Sequence, residues 1–431
     1  MKIRQETPAA DRAGCPSPAR HRLSRLLPTL LFALCMVPLV AALCACGQGA
    51  ETDGAAGDSS SAKPEGKQEM QNSPAATAQS PTATPRPYGS LADGSEVTLV
   101  TLRNASGIEV DVISYGGIIT RLVTPDAAGK PGNIVLGLDS LEEYVASNPY
   151  FGALIGRYGN RIARGRFTLD GKAYQLDTNN GENHLHGGVV GFDKKNWGME
   201  PFTTDHSAGV VLTLVSPDGD QGYPGRLETR VVYELTNDDA LEFRFSAVTD
   251  QPTIVNLTQH SYFNLAGQGD ILEHVLMIPA EQFTPVDAGL IPTGEFRAVA
   301  GTPFDFRAPK PIGRDIGADN EQLELGLGYD HNFVLRSEPS NELILAARVT
   351  EPQSGRVLEV WTVEPGVQFY SGNFLDGTLE GKGTVHAHRS GLCLEPQHFP
   401  DSPNQQGFPS TTLVPGETYE TRIVYRFSTV E

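Results

Sequence analysis

From about residue 88 onward the chain reads as short runs of alternating apolar and polar residues. Residues 97–102 (Val-Thr-Leu-Val-Thr-Leu) and 108–114 (Ile-Glu-Val-Asp-Val-Ile-Ser) alternate, with Arg-Asn-Ala-Ser-Gly between them. Period-two alternation bounded by turn-forming residues predicts a β-hairpin with one buried face. Residues 229–235 and 241–247, joined by Thr-Asn-Asp-Asp-Ala, form the clearest such pair, and 421–427 repeats the pattern near the end. Residues 118–123 and 133–138 are further short apolar runs. Only 140–146 predicts a helix, and a short one. The stretch 391–404, Gly-Leu-Cys-Leu-Glu-Pro-Gln-His-Phe-Pro-Asp-Ser-Pro-Asn, changes character midway. Leu392 and Leu394 are expected on one strand face, Cys393 and Glu395 on the other. Pro396 lacks a backbone donor and is expected to end regular pairing, which puts Glu395 on the last strand residue before a loop. A carboxylate held there suits a general base. A solvated strand-end glutamate is the competing reading.

These patterns predict an all-β protein, with residues 88–431 as one large β-sandwich domain. Composition agrees: Gly and Pro number 46 and 31 in 431 residues. Of the five cysteines four precede residue 47, so the body holds Cys393 alone and has neither a disulfide framework nor a CxxC metal motif. Net charge is −19 overall. Residues 1–46 take up six of the 33 basic and two of the 52 acidic residues, leaving the remainder at 27 against 50, or −23. Such a body repels phosphate backbones, so nucleic acid is not an expected partner.

The N-terminus differs in kind. Arg20, Arg22 and Arg25 precede a nearly unbroken apolar run, residues 26–45, which ends Leu-Cys-Ala-Cys-Gly at 43–47. A basic region before an apolar region is a secretory signal, and its end resembles a bacterial lipobox with Cys46 as the lipidated residue. An uncleaved membrane-spanning helix is the alternative, weakened by Pro28 and Pro38. Either reading anchors the protein to a bacterial membrane with its body outside the cytoplasm. Residues 47–87, rich in Ala, Ser, Thr, Pro and Gly, are expected to be a disordered tether.

Four other places concentrate polar residues. Gly156-Arg-Tyr-Gly-Asn-Arg-Ile162 holds two arginines and an asparagine among glycines. Asn179-Asn-Gly-Glu-Asn-His-Leu-His-Gly-Gly188 sets His184 and His186 two apart, on one face if the segment is a strand. That pair is better suited to donating to a neutral ligand than to a metal, since no third ligand lies near in sequence. His260 lies in Asn256-Leu-Thr-Gln-His-Ser-Tyr-Phe-Asn264, and Asp330 in Gly328-Tyr-Asp-His-Asn-Phe-Val334. Taken singly, each is as readily a structural residue.

In order, these motifs, with SPDGDQGYPG, IPTGE and GTPFDFR between them, resemble the aldose 1-epimerase (galactose mutarotase) family over essentially the whole body. The resemblance implies a β-sandwich with an open sugar cleft, an aldose substrate such as glucose or galactose, and neither cofactor nor metal. It implies Glu395 as general base and His260 as general acid. Asn160, Arg161, His186, Tyr262, Asp330 and Gln368 are then expected to line the sugar. Solvent reference values of about 4.3 for Glu and 6.5 for His would allow an ionised Glu395 beside a charged His260 in a mildly acidic window. Two departures stand out: Gly159 where alanine is usual, and Gln259 where asparagine is common. Both are expected to bear on sugar preference more than on activity. A monomer or weak dimer is expected. The rival functions are a non-catalytic sugar-binding lipoprotein, an epimerase for phosphorylated or oligomeric sugars, and a polysaccharide lyase.

Overall fold

The predicted hairpins form, the first as Glu96–Arg103 paired with Glu109–Ile113. Leu227–Thr236 pairs with Ala240–Thr249, and Tyr419–Thr429 lies beside the latter, between it and Arg356–Thr362. These strands form the middle of a nine-stranded sheet in a computed structural model that describes residues 80–336 and 340–430. The described residues belong to one compact unit, Asn72–Glu431. The predicted signal segment with Cys46, and most of the predicted tether, lie outside them. Among the described residues no helix is long and apolar enough to cross a membrane.

A five-stranded meander runs from Thr82–Ser90 to Pro131–Asn133. Its first strand begins inside the stretch expected to be tether. Among the described residues Thr82–Ser90 is an edge strand, paired only with Glu96–Arg103, and it is mostly exposed. An edge strand tolerates Pro85 and Pro87 and needs no apolar run, so composition concealed it.

The third large sheet has six strands, in the order Tyr262–Phe263, Leu392–Gln397, Gly366–Tyr370, Asp330–Val334, Gln282–Thr284, Arg297–Ala298. Its strands alternate as the sequence predicts, and one face carries Leu392, Leu394, Val367, Phe369 and Phe333. These join a single apolar cluster with Val110 and Leu122 of the meander and Phe243 and Tyr425 of the nine-stranded sheet. Burying each large side chain contributes about 1.5–3 kcal/mol, so this shared core fixes the six-stranded sheet firmly. Pro396 does not end its strand: the ladder continues through Pro396 opposite Val367 to Gln397 opposite Gly366. Of this strand Tyr262–Phe263 pairs with Leu392 and Cys393 alone, so at Pro396 the strand has one ladder neighbour among the described residues and a missing N–H is tolerated.

The predicted helix is Leu141–Ala146, opened by a capping box between Ser140 and Glu143. A second helix, Glu321–Gly326, was not predicted. It is six residues long, capped by the Asn320 side chain on the N–H of Gln322, and too short to display a helical period.

Candidate active site

The other face of the six-stranded sheet is polar. Cross-strand register sets Asn332 opposite Gln368 and Gln368 opposite Glu395, with Asp330 two residues before Asn332 and Gln397 two after Glu395. Above this face opens a cleft of about 1080 Å³, lined among others by Asn160, Arg161, His186, His260, Tyr262, Asp330 and Glu395. Residues spread over 236 positions of sequence thus meet in one hollow.

His260 ends the short strand Thr258–His260, which pairs with Ala153–Ile155. Two residues on, Tyr262 joins the six-stranded sheet opposite Cys393. This crossing sets His260 Nε2 3.6 Å from Glu395 Oε1, with the two side chains 5% and 2% exposed. Tyr262 and Tyr150 stack on the His260 ring at 5.1 and 5.7 Å between centroids. Cys393 Sγ lies 3.6 Å from His260 Nδ1. The imidazole is therefore gripped on its faces and backed at Nδ1, while Nε2 points to the carboxylate.

His184 and His186 do not share a face. The strand they open is only His184–Leu185, and His186 already has φ of 49°. Gly187 continues the turn at φ of 85°, and a Cβ there would run into the Gly156 carbonyl, so only glycine fits. His184 turns inward, with Nδ1 2.6 Å from the Asp177 carbonyl and Nε2 2.6 Å from the Tyr223 hydroxyl. His186 turns to the cleft, and its Nδ1 accepts from the Asn160 N–H at 3.1 Å. That acceptor role leaves the proton on Nε2, a donor for a neutral ligand.

Arg161 donates from Nε to Asn180 Oδ1 at 3.1 Å and reaches Asp330 Oδ2 with Nη1 at 3.7 Å. Gln368 does not line the cleft. It lies behind Asp330 and donates to Asp330 Oδ1 at 2.7 Å. Tyr262 lines the cleft but donates its hydroxyl proton to the Pro149 carbonyl at 3.0 Å. Sequence reasoning did not single out Tyr150, Asn180 or a role for Cys393. Asn180 at least lay inside a nominated motif, whereas nothing in sequence ties Tyr150, 36 positions before His186 and 110 before His260, to either ring.

Burial opposes the expected charges. It pushes the Glu395 carboxyl well above the usual carboxylate range, with Asp330 adding to the shift and Arg161 opposing it. Burial also pushes His260 down to about 4. His186 is lowered well below its usual value by burial, then by His260 and Arg161. Asp330 is raised by burial against Arg161 and Gln368. Solvent reference values do not describe groups this dry, and burial favours the neutral form of each.

His186, His260 and Glu395 bring donor atoms within 4.8 Å of one another. A tetrahedral zinc at about 2.0–2.1 Å from each ligand would need neighbouring donors near 3.3 Å apart. His260 Nε2 and Glu395 Oε1 are 3.6 Å apart, a spacing that also suits proton transfer through a substrate placed between the groups.

The chain aligns with proteins of known kind over the same span. A sequence model of the aldose 1-epimerase family matches residues 98–426. The chain belongs to the aldose 1-epimerase family. It is 48% identical to bovine (Bos taurus) galactose mutarotase over 344 residues, 79% of this chain and 97% of that protein. It is 40% identical to the aldose 1-epimerase of Escherichia coli K12 over 338 residues, 78% of this chain and 96% of that one. The fold is that of galactose 1-epimerase from Lactobacillus acidophilus NCFM, with a TM-score of 0.72 at 31% identity, covering 82% of this chain and 100% of that structure. It is also that of a Caenorhabditis elegans aldose epimerase homologue, with a TM-score of 0.69 at 32% identity over 76% of this chain and 97% of the other. As an aldose epimerase the chain is an isomerase.

Against the family pattern, the two departures sit behind the cleft. Gln259 donates to the Gly152 carbonyl at 2.8 Å and accepts from the Ser261 N–H at 2.9 Å. A Cβ on Gly159 would meet Thr258 and the Asn256 carbonyl, with Gln397 Oε1 at 3.7 Å. Neither residue lines the cleft. At the mouth, Arg164 and Arg166 line the cleft beside Glu182 and Asp287, so its rim carries both signs of charge.

Proposed function

We propose that this cleft interconverts the α and β anomers of an aldohexose, galactose or glucose, by opening and reclosing the sugar ring. The observation that carries the reading is the buried His260–Glu395 pair at 3.6 Å in a polar cleft. An aldopyranose is a cyclic hemiacetal. Glu395 takes the proton of the C1 hydroxyl, and His260 gives one to the ring oxygen as the C1–O5 bond breaks and C1=O forms. Rotation about C1–C2 presents the other face of the aldehyde, and closure reverses both transfers. Arg161, the His186 Nε2–H and Asp330 hold the remaining hydroxyls.

The burial shifts fit this cycle. Ring opening moves one proton from His260 to Glu395 through the sugar, turning an ion pair into two neutral groups. A dry site favours that product, so it lowers the open-chain state relative to the closed ring. A pair holding a single proton needs that proton on Nε2 when sugar binds, a relocation that the same burial opposes. Each positioned transfer is worth about 10²–10⁴-fold.

Polarimetry on freshly dissolved α-D-glucose and α-D-galactose tests this. Wild type speeds the decay of rotation, with EDTA or without, and Glu395→Gln does not. Retained turnover in Glu395→Gln removes Glu395 as the base. The N-terminal proposal is separate: a lipid on Cys46 would tether the body to a membrane outside the cytoplasm. It is supported by the basic and apolar segments ahead of Cys46. Mass spectrometry of protein from the membrane fraction should show a diacylglyceryl group on an N-terminal Cys46, and an unmodified N-terminus rejects it.

A further inference from the structure

Six buried polar atoms on the polar face of the six-stranded sheet have no protein hydrogen-bond partner among the described residues. They are both amide atoms of Asn332 and of Gln397, Gln368 Oε1, and Glu395 Oε2. Their residues are at most 3% exposed. They are also neighbours. Asn332, Gln368 and Glu395 are successive cross-strand partners, and Gln397 follows Glu395 on the same face, opposite Gly366. Gly366 brings no side chain to that row, and a Cβ there would meet Asn332 Oδ1 and the Phe399 ring. The Asn332 amide therefore leans over the glycine toward the Gln397 side.

Buried amides without partners cost about 1–3 kcal/mol each, and native structures rarely keep them so. Where protein does not satisfy such groups, ordered water does, provided several polar partners converge. Here they lie on the same sheet face as the reacting carboxyl, on its own strand and the next two. We infer that Asn332 and Gln397, with Gln368 between them, form a hydrated polar floor under Glu395 that keeps its carboxylate form within reach. Asn332 and Gln397 are then positioning residues that touch no sugar. The inference rests on Glu395 being the reacting carboxyl.

Other groups facing Glu395 do not supply this. Asp330 opposes its ionisation and Arg161 favours it. His260 and His186, from the short strand and the loop opposite, are kept neutral by burial. Cys393 on its own strand, and Tyr262, Tyr370 and Tyr425 around it, are all pushed up by burial and carry no charge. In the resting protein Arg161 is thus the cationic group acting on it; once the proton moves to His260, that imidazolium faces Oε1, and water on Oε2 would stabilise the other side of the anion.

The test compares Asn332→Leu and Gln397→Met with wild type. Drying the floor raises the Glu395 carboxyl further, so the ion-pair form needed to start the cycle becomes rarer. The expected result is kcat lower by about tenfold, KM unchanged, and the alkaline limb of kcat/KM moved up by about one pH unit. A lower melting temperature with the limb in place means a merely structural role and overturns the inference. Infrared titration of the protonated-carboxyl band that Glu395→Gln lacks reads the same shift without turnover. A failed sugar assay therefore does not hide the answer. If neither variant folds, a high-resolution crystal structure of wild type decides. Ordered water bridging Asn332, Gln397 and Glu395 Oε2 supports the floor, and the two amides paired directly to each other reject it.

Discussion

The two faces of the six-stranded sheet are built from the same strands, are equally dry, and do opposite work. On one, Leu394, Val367, Phe369 and Phe333 enter the common core. On the other, one residue along each strand, Glu395, Gln368, Asn332 and Asp330 face the cleft and the space beneath it. The apolar face satisfies its groups by packing. The polar face leaves six buried atoms without protein partners and two carboxyls raised by burial. The contrast shows where the stability comes from and where it is given up. A rigid core on one side lets the other hold a carboxyl and an imidazole in the neutral forms that ring opening produces.

Substitutions on the two faces should separate along that line. The largest effect is expected on the polar side. His260→Gln removes a proton transfer and should lower kcat by about 10²–10⁴-fold while melting temperature changes little. Phe369→Ala, on the apolar side, empties the place of a ring packed 5.2 Å from Tyr329 and 5.6 Å from Phe306. It should cost about 3–5 kcal/mol in denaturant unfolding and leave kcat per folded molecule near wild type. Comparable losses of activity and stability in both variants would mean that the faces are not independent.

Much of this division was legible in the sequence because alternation is a property of single strands. Leu392 and Leu394 against Cys393 and Glu395 could be read directly, and the family motifs located seven of the eight nominated residues on the cleft wall. What was illegible depends on neighbours far along the chain. Pro396 looks like a terminator until its strand is seen to have one ladder partner there. Gln368 reads as a sugar contact, yet Asp330, 38 positions earlier, receives its amide. Reference values for Glu395 and His260 assume water, whereas burial, set by the whole fold, opposes the charged form of both. Asn332 and Gln397 attracted no notice because an unpartnered amide is defined by what surrounds it.

His184 and His186 bring the comparison down to two residues, and the smallest expected effects. Alternation predicts one shared face, but the turn at His186 sends the first inward and the second to the cleft. His184 is pushed down to about 4 by burial and held between the Asp177 carbonyl and the Tyr223 hydroxyl. Its folded value lies below the unfolded one, so the unfolded chain binds more protons between about pH 6.5 and 4. The contribution of neutral His184 is therefore present above pH 6.5 and lost as pH falls through that range. His184→Gln should cost about 1–3 kcal/mol at neutral pH, from the partners left behind, with KM unchanged. Its deficit relative to wild type should narrow toward pH 4, because only wild type carries this proton-linked loss. His186→Gln should do the reverse, raising KM several-fold through the lost Nε2–H donor with little change in melting temperature. Urea unfolding across pH, set beside polarimetric KM, distinguishes the two. A KM rise in His184→Gln would show that the inward histidine acts on the sugar after all, and that the turn at His186 does not divide the pair.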